Sequence, residues 1–96
     1  MKKFMFLSIG FEPPTPEIAA AWQAWFASLS GRLVDGGNPF GRGREITHSG
    51  TADLPLGPEA ITGYCIINAK DLDEATQIAE TCPIITAIRI YQADSM

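Results

Sequence analysis

The stretch Ile61-Thr62-Gly63-Tyr64-Cys65-Ile66-Ile67-Asn68, which continues as Ala69-Lys70-Asp71-Leu72-Asp73-Glu74-Ala75, decides the fold. Its first half is typical of a β-strand, and apolar side chains fall on both alternating faces, so this strand needs cover above and below the sheet. Its second half begins a helix, because Asp71 and Glu74 have the spacing of a capping box ahead of an apolar stripe. We therefore predict a strand over residues 61–68 and a helix over residues 72–82.

The N-terminal part of the chain has the same strand–helix order. We predict a strand over residues 3–9, with apolar side chains on both faces, and a helix that Thr15 caps and that continues to about residue 30. Pro16 suits the first helical position, and Gly31 suits the left-handed residue that closes the helix. Six apolar residues form one stripe at helical spacing: Ile18, Ala21, Trp22, Trp25, Phe26 and Leu29. We interpret the two tryptophans as core or interface residues.

Three further strands complete the predicted order. They cover residues 32–35, residues 44–49 as a weak strand, and residues 84–91, with a turning Gly-rich segment at 36–43 and a polar loop at 50–59. With right-handed crossovers, this order predicts an α+β fold of the ferredoxin-like, split βαβ type, in which an antiparallel sheet carries both helices on one face. We expect residues 1–96 to form a single domain.

Two helices on one face leave the other face of the sheet bare. Each large apolar side chain exposed there forgoes about 1.5–3 kcal/mol of burial, so pairing of two sheets face to face is favoured. We therefore predict a homodimer.

Composition limits the classes of function. A chain of 96 residues with 46% hydrophobic and 19% charged residues is typical of a folded globular protein. The net charge of −4 disfavours nucleic acid as a partner. The apolar run at residues 4–9 is too short to span a membrane and lacks a signal-cleavage pattern, so we expect a cytoplasmic protein with no membrane partner. Cys65, Cys82 and His48 are too few for a typical zinc site; we predict buried, reduced thiols, no metal and no cofactor.

Several longer runs resemble one known family. From Gly63 to Ala75, and on through Ile78-Ala79-Glu80-Thr81-Cys82-Pro83, the chain resembles the YCII-related family, including its DGPF-type branch. The run Glu12-Pro13-Pro14-Thr15-Pro16-Glu17 and the segment Gly31-Arg32-Leu33-Val34-Asp35-Gly36-Gly37-Asn38-Pro39-Phe40-Gly41 agree with it. The resemblance covers nearly the whole chain and implies a ferredoxin-like fold that dimerises into an α/β barrel.

The resemblance also implies a type of chemistry. Some members carry a histidine in the first helix and an aspartate near the middle strands, proposed as a general acid/base pair, and one branch includes a dehydrochlorinase of aromatic substrates. In this chain the helix position falls near Ala20, and Leu56-Gly57-Pro58-Glu59 stands where the DGPF signature would be. The only imidazole belongs to His48.

Three functional hypotheses follow. In the first, a homodimer binds a small molecule, or is a vestigial enzyme, with a cleft between the sheet and the Gly-rich segment; the polar groups most able to line it are Asp35, Asn38, Arg44, His48 and Tyr64. In the second, the protein is an acid/base enzyme of the lyase or dehydrochlorinase type, with His48 as base and Asp35 as its orienting partner. In the third, it is an assembly module without an enclosed pocket. Structural roles are also open: Asp35 as a strand-end residue that bonds turn amides, and Tyr64 as a core or interface residue.

Overall fold

A computed structural model describes all 96 residues. The elements in chain order are β1 (Lys2–Ile9), α1 (Pro16–Ser28), β2 (Leu33–Asp35), β3 (Gly43–Thr47), β4 (Gly50–Leu54), β5 (Ile61–Ala69), α2 (Leu72–Ala79) and β6 (Ala87–Ala93). Four strands form an antiparallel sheet in the order β2-β5-β1-β6, and β3 and β4 form a separate hairpin. The predicted ferredoxin-like α+β fold is confirmed.

Both helices lie on one face of the sheet, which we call the covered face. Phe4 pairs with Ile67 and Phe6 pairs with Cys65 across the two central strands, and all four side chains are at most 5% exposed. Residues from both helices join them in one core: Trp25, Ala75 and Ala79. The alternate residues of the same strands point to the other side, which we call the open face.

The open face carries apolar side chains that no helix covers. Leu7 pairs with Tyr64 and Met5 pairs with Ile66, and these four residues are half-buried rather than buried. Tyr91, opposite Met5 on β6, is 57% exposed. The strands therefore have two apolar faces, as their sequence indicates, but the chain itself covers only one.

Both predicted helix starts are present. Thr15 Oγ1 accepts a hydrogen bond from the backbone N–H of Ile18 at 3.2 Å, and Asp71 Oδ1 accepts from the N–H of Glu74 at 2.9 Å. The return bond of the capping box is displaced by one residue, because Glu74 Oε1 accepts from the N–H of Lys70 at 3.0 Å. The same oxygen accepts from Arg32 Nη1 at 2.6 Å, so Glu74 joins α2 to the residue before β2.

The predicted ends of three elements need correction. Helix α1 ends at Ser28 and is capped by Leu29, and Gly31 takes the predicted left-handed conformation at φ 85°. Helix α2 ends at Ala79 rather than 82, because the N–H of Cys82 bonds the carbonyl of Ala79 in a tighter turn. Strand β6 begins at Ala87 rather than at 84, since Ala87 is opposite Ile9, the last residue of β1. Residues 84–86, which precede β6, have no partner strand in the sheet, so they remain irregular although they are partly apolar.

The predicted polar loop at 50–59 is partly wrong, because Gly50–Leu54 forms strand β4 and pairs with β3. Arg44 Nε donates to Asp53 Oδ1 at 2.9 Å across the two strands. His48 lies in the connecting turn and not on a strand. Strand β4 is not predicted from its sequence because its residues are exposed and lack an apolar pattern. It is stabilised by cross-strand pairing and not by burial.

The helix lengths and the two cysteines can be compared with the sequence predictions. Neither helix is long and apolar enough to cross a membrane. Cys65 and Cys82 are both buried, as predicted, and no disulfide joins them.

Candidate functional site

A cavity of about 320 Å³ lies on the covered face, between α1 and one end of the sheet. Three groups of residues define it: an aromatic wall from α1, a floor of small residues on the sheet, and a rim formed by the loop before β3. We call it the α1 cavity; its main wall, floor and rim residues are Trp22, Trp25, Phe26, Ser8, Gly63, Cys65, Gly37, Asn38 and Pro39.

The aromatic wall holds α1 away from the sheet. The Trp25 ring lies over Phe6 with centroids 6.2 Å apart, and Trp22 meets Trp25 edge-on at 5.7 Å. Phe26 meets Trp25 at 5.2 Å in a similar edge-on contact. Trp25 Nε1 also donates to Thr81 Oγ1 at 3.0 Å, which fixes the buried indole from the end of α2. Since aromatic pairs of this geometry are favourable, the wall is preformed.

The floor is made of small side chains. Ser8 and Gly63 are opposite each other on β1 and β5, on the same face as Phe6 and Cys65. A Cβ atom built on Gly63 would meet only the carbonyl oxygen of Asn38 at 3.6 Å and Pro39 Cα at 3.8 Å, both ordinary contacts. The missing side chain therefore leaves space that a larger residue would fill.

The rim depends on one glycine. Gly37 has φ 72°, and a Cβ on it would lie 1.7 Å from the carbonyl oxygen of Tyr64, so no larger residue fits this position. Asp35 Oδ1 accepts from the N–H of Gly37 at 2.8 Å and holds the turn. The N–H of Phe40 then bonds the carbonyl of Thr62 at 2.8 Å. The loop is thereby held against β5 at both ends of the rim.

The cavity lining carries no aspartate, glutamate, lysine, arginine or histidine. Burial, together with the nearby Cys82 and Asp35, raises the pKa of the Cys65 thiol to about 11. A thiol with so high a pKa is protonated at neutral pH and is a poor nucleophile. The arrangement can hold an apolar molecule against its wall and floor, but it offers no charged group to it. No group of three His, Cys, Asp or Glu residues that could hold a metal ion occurs in the chain.

The five sequence-predicted site residues fall into two groups. Asn38 and Tyr64 are both among the residues around the cavity, although the Tyr64 side chain leaves β5 on the open face, opposite Leu7. Tyr64 Oη donates to Asp35 Oδ2 at 3.3 Å. Arg44 and His48 belong to the β3–β4 hairpin and do not line the cavity. Arg44 pairs with Asp53, and His48 forms no hydrogen bond or ion pair with Asp35.

Asp35 and Tyr64 also have structural roles. The Tyr64 ring stacks on Phe40 with centroids 5.5 Å apart and an interplanar angle of 22°. Through its two carboxylate oxygens, Asp35 joins this ring to the turn at Gly37. The pair thus braces the rim of the cavity whether or not it also contacts a ligand.

The wall and the floor are not among the site residues that the sequence predicts. The pattern of α1 indicates core or interface residues at Trp22, Trp25 and Phe26, and it gives Ser8 and Gly63 no role. Two facing sheet positions, Ser8 and Gly63, are small and line the same space as Trp22 and Phe26, whereas Trp25 packs on Phe6. This mismatch depends on strand pairing and gives no signal in a short window of sequence. Such a mismatch in size leaves either a collapsed helix or a cavity.

Comparisons of the chain with protein-family models, with curated proteins and with solved structures found no match.

Proposed function

We propose that this protein is a small-molecule-binding domain that acts as a homodimer and holds its ligand in the α1 cavity. One observation carries the proposal: an apolar cavity of about 320 Å³, partly open to solvent, lies between a fixed aromatic wall and the covered face of the sheet. Ligand sites are typically concave, mostly apolar and preformed, with volumes of roughly 300–1,000 Å³. The α1 cavity has these properties and lies at the lower end of that range.

The aromatic wall distinguishes the cavity, as a candidate binding site, from an accidental packing defect. Protein interiors are close-packed, and voids larger than a water molecule are few. Here the Trp25–Thr81 hydrogen bond and the Gly37 turn support opposite sides of the space, so neither side can relax into it without losing bonds. A void that is braced on two sides is what a binding site requires.

The homodimer part of the proposal rests on the open face. Met5, Leu7 and Ile66 form an apolar centre there that no helix covers. Tyr64 and Tyr91 lie on either side of this centre along the pairing of β5, β1 and β6. A second copy that presents the same face would bury all of these side chains at once, each with a gain of about 1.5–3 kcal/mol if it becomes fully buried.

No specific observation favours the other two hypotheses. The enzyme hypothesis needs His48 beside Asp35, and these two side chains are not hydrogen-bonded to each other. The assembly hypothesis gives no role to a cavity, whereas the protomer contains one of about 320 Å³ that is partly open to solvent. Membership of the YCII-related family is likewise part of our proposal, and it is supported by the resemblance at residues 63–75 and by the ferredoxin-like fold.

A fragment screen by ¹H–¹⁵N NMR tests the binding proposal. The chain has only two tryptophans, so the two indole N–H signals report directly on the cavity wall. We expect hits to shift the signals of Trp22, Trp25 and Gly63 and to leave those of the β3–β4 hairpin unchanged. A Trp22→Ala variant should lose the hits, whereas Gln23→Ala, exposed on the same helix, should keep them. The proposal fails if a screen of mixed size and charge produces no shifts at the wall.

Sedimentation velocity tests the homodimer. We expect the wild-type chain to sediment as a dimer in the micromolar range, and Leu7→Lys on the open face to sediment as a monomer. Far-UV circular dichroism of the variant checks that the sheet is intact. Gln92→Lys, which is opposite Phe4 on the covered side of β6 and exposed, is the matched control and should stay dimeric. A monomeric wild-type chain would contradict the dimer.

A further inference from the structure

The lining of the α1 cavity contains no group that carries a charge at neutral pH. None of its residues is Asp, Glu, Lys, Arg or His, and the Cys65 thiol is protonated there. Moving an ion from water into such a space removes part of its hydration and offers no counter-charge, which is unfavourable. An anion or a cation is therefore a poor occupant.

The groove next to the cavity has the opposite character. It shares Trp22, Pro83 and Ile85 with the α1 cavity and adds Glu12 and Glu17, both exposed. No lysine or arginine lines it. The groove therefore supplies no positive counter-charge to an anion, although its solvent-exposed carboxylates repel one only weakly.

Within the cavity, only the aromatic rings of the wall attract a cation. Cation–π contacts contribute about 0.5–2 kcal/mol, which is less than the cost of removing an ammonium ion from water. The Glu12 and Glu17 carboxylates lie outside the cavity and are solvent-exposed, where ion pairs contribute little. The same wall suits an uncharged ring system, because offset and edge-on contacts between rings are favourable.

Two lining residues can bind one polar end of a ligand. The side chains of Ser8 and Asn38 form no hydrogen bond within the chain, whereas the Thr62 hydroxyl already donates to the carbonyls of Ser8 and Gly10. The volume sets the size of the part of a ligand held inside the cavity: an apolar cavity of about 150 Å³ accommodates one benzene ring, so about 320 Å³ accommodates two fused rings.

We infer that the ligand of the α1 cavity is an uncharged, flat molecule of about two fused rings with one hydrogen-bonding group, which stacks against Trp22 and Phe26. This inference rests on the proposed binding function and specifies the class of ligand. The wall provides the stacking surfaces, the small floor residues provide the depth, and Ser8 and Asn38 accept or donate the single polar contact.

A matched set of probes tests the inference by isothermal titration calorimetry. The set has one ring frame and three charges: 2-naphthalenemethanol is neutral, 2-naphthoate is an anion, and protonated 2-naphthylmethylamine is a cation. We expect the neutral alcohol to bind at least tenfold more tightly than either ion. The puckered analogue decahydro-2-naphthalenemethanol tests flatness and should also bind at least tenfold more weakly than the naphthalene alcohol.

Two variants locate the binding. Gly63→Val fills the floor of the cavity and is compatible with a strand, so it should fold and should weaken the neutral probe at least tenfold. Gly57→Val is the matched control, because a Cβ at Gly57 meets nothing within 4 Å and this residue does not line the cavity. Ser8→Ala should weaken the alcohol several-fold and leave 2-methylnaphthalene unaffected.

The outcomes separate the ligand class from the site. If an ion binds as tightly as the alcohol and Gly63→Val blocks it, the inferred class is wrong and the site stands. The class is also wrong, and the site again stands, if no naphthalene probe binds while other fragments shift the Trp22 and Trp25 signals. If the probes bind and Gly63→Val has no effect, their site is elsewhere, and both the inference and the proposed function fail.

Discussion

The two helices lie on the same face of the sheet, but they approach it in different ways. Helix α2 faces the strands with Ala75 and Ala79, which are 0% and 5% exposed, and its Cα atoms come within 8 Å of β1, β5 and β6. Helix α1 faces the strands with Trp22, Trp25 and Phe26 and makes no comparable backbone approach. Small side chains bring one helix down onto the sheet, and large ones hold the other helix off it.

The difference separates stability from binding within one core. Under α2 the packing is close, so any change of volume is resisted by its neighbours. Under α1 the bulky wall is opposite Ser8 and Gly63, and the mismatch leaves the α1 cavity. Substitutions in the α2 half should therefore change the free energy of unfolding, whereas substitutions around the α1 cavity should change ligand binding.

The largest effect should come from the centre of the close-packed half. Phe4 is 0% exposed, so Phe4→Ala leaves a cavity that its neighbours cannot fill. We expect the free energy of unfolding to fall by about 3–5 kcal/mol, measured by urea denaturation. Trp22→Ala, in the partly exposed wall, should cost clearly less stability than this. Equal losses for the two variants would contradict the comparison.

Adding volume provides a matched test of the two halves. Ala75→Leu places extra methyl groups where α2 touches the sheet, and should destabilise the protein by about 1–3 kcal/mol. Gly63→Ala adds a Cβ at ordinary contact distances beside the α1 cavity and should leave the stability nearly unchanged or slightly higher. Both are read from the midpoint of urea unfolding. If Gly63→Ala is as costly as Ala75→Leu, the cavity is not open space in solution.

The two thiols should give the free energy of unfolding a smaller dependence on pH. Cys65 lies on the cavity floor and Cys82 follows α2, and burial raises the pKa of each thiol from 9.0 to about 11. Between these values the unfolded chain releases thiol protons that the folded chain keeps, so stability falls as pH rises from about 9 to about 11. Thermal unfolding at a series of pH values measures this decline. It should become shallower in the Cys65→Ser and Cys82→Ser variants, and an unchanged slope in both would exclude the thiols as its cause.

The smallest effect should come from the contact between Glu74 and the region before β2. The backbone hydrogen bond from Lys70, followed by the Arg32 side chain, lowers the pKa of the Glu74 carboxyl below its ordinary value of 4.5. The stabilisation is present above that ordinary value and is lost as pH falls through the lowered pKa. Glu74→Gln should therefore have a lower melting temperature than the wild type at pH 7, with the gap closing in acid. Glu80→Gln, on the exposed end of α2, is the control and should show no such gap.

Much of the fold was predictable because its signals are local. Thr15 and Asp71 mark both helix starts, and the runs at 3–9 and 61–68, which are apolar on both faces, mark the two central strands. The errors occur where a strand depends on its partner. Strand β4 is polar and is defined by pairing with β3, and β6 begins at Ala87 because β1 ends opposite it. Neither pairing is encoded in a short window of sequence.

The candidate site was less predictable than the fold. Asn38 and Tyr64 were identified from sequence and do line the α1 cavity, whereas Arg44 and His48 lie on the hairpin. Site residues are predicted from sequence mainly by their polar chemistry, but this cavity is built from apolar and small residues. Trp22 and Phe26 have the same spacing whether they fill a core or form a wall.

The sequence by itself determined the two-layer α+β architecture, the helix caps and the two apolar faces of the central strands, since caps and periodicity act over a few residues. Only the tertiary structure decided that the aromatic stripe of α1 lines the same cavity as Ser8 and Gly63, and that Gly37 lies against the carbonyl of Tyr64. A cavity depends on the difference in size between residues far apart in the chain. That difference produces a cavity only when strand pairing and helix packing bring those residues to opposite sides of one space.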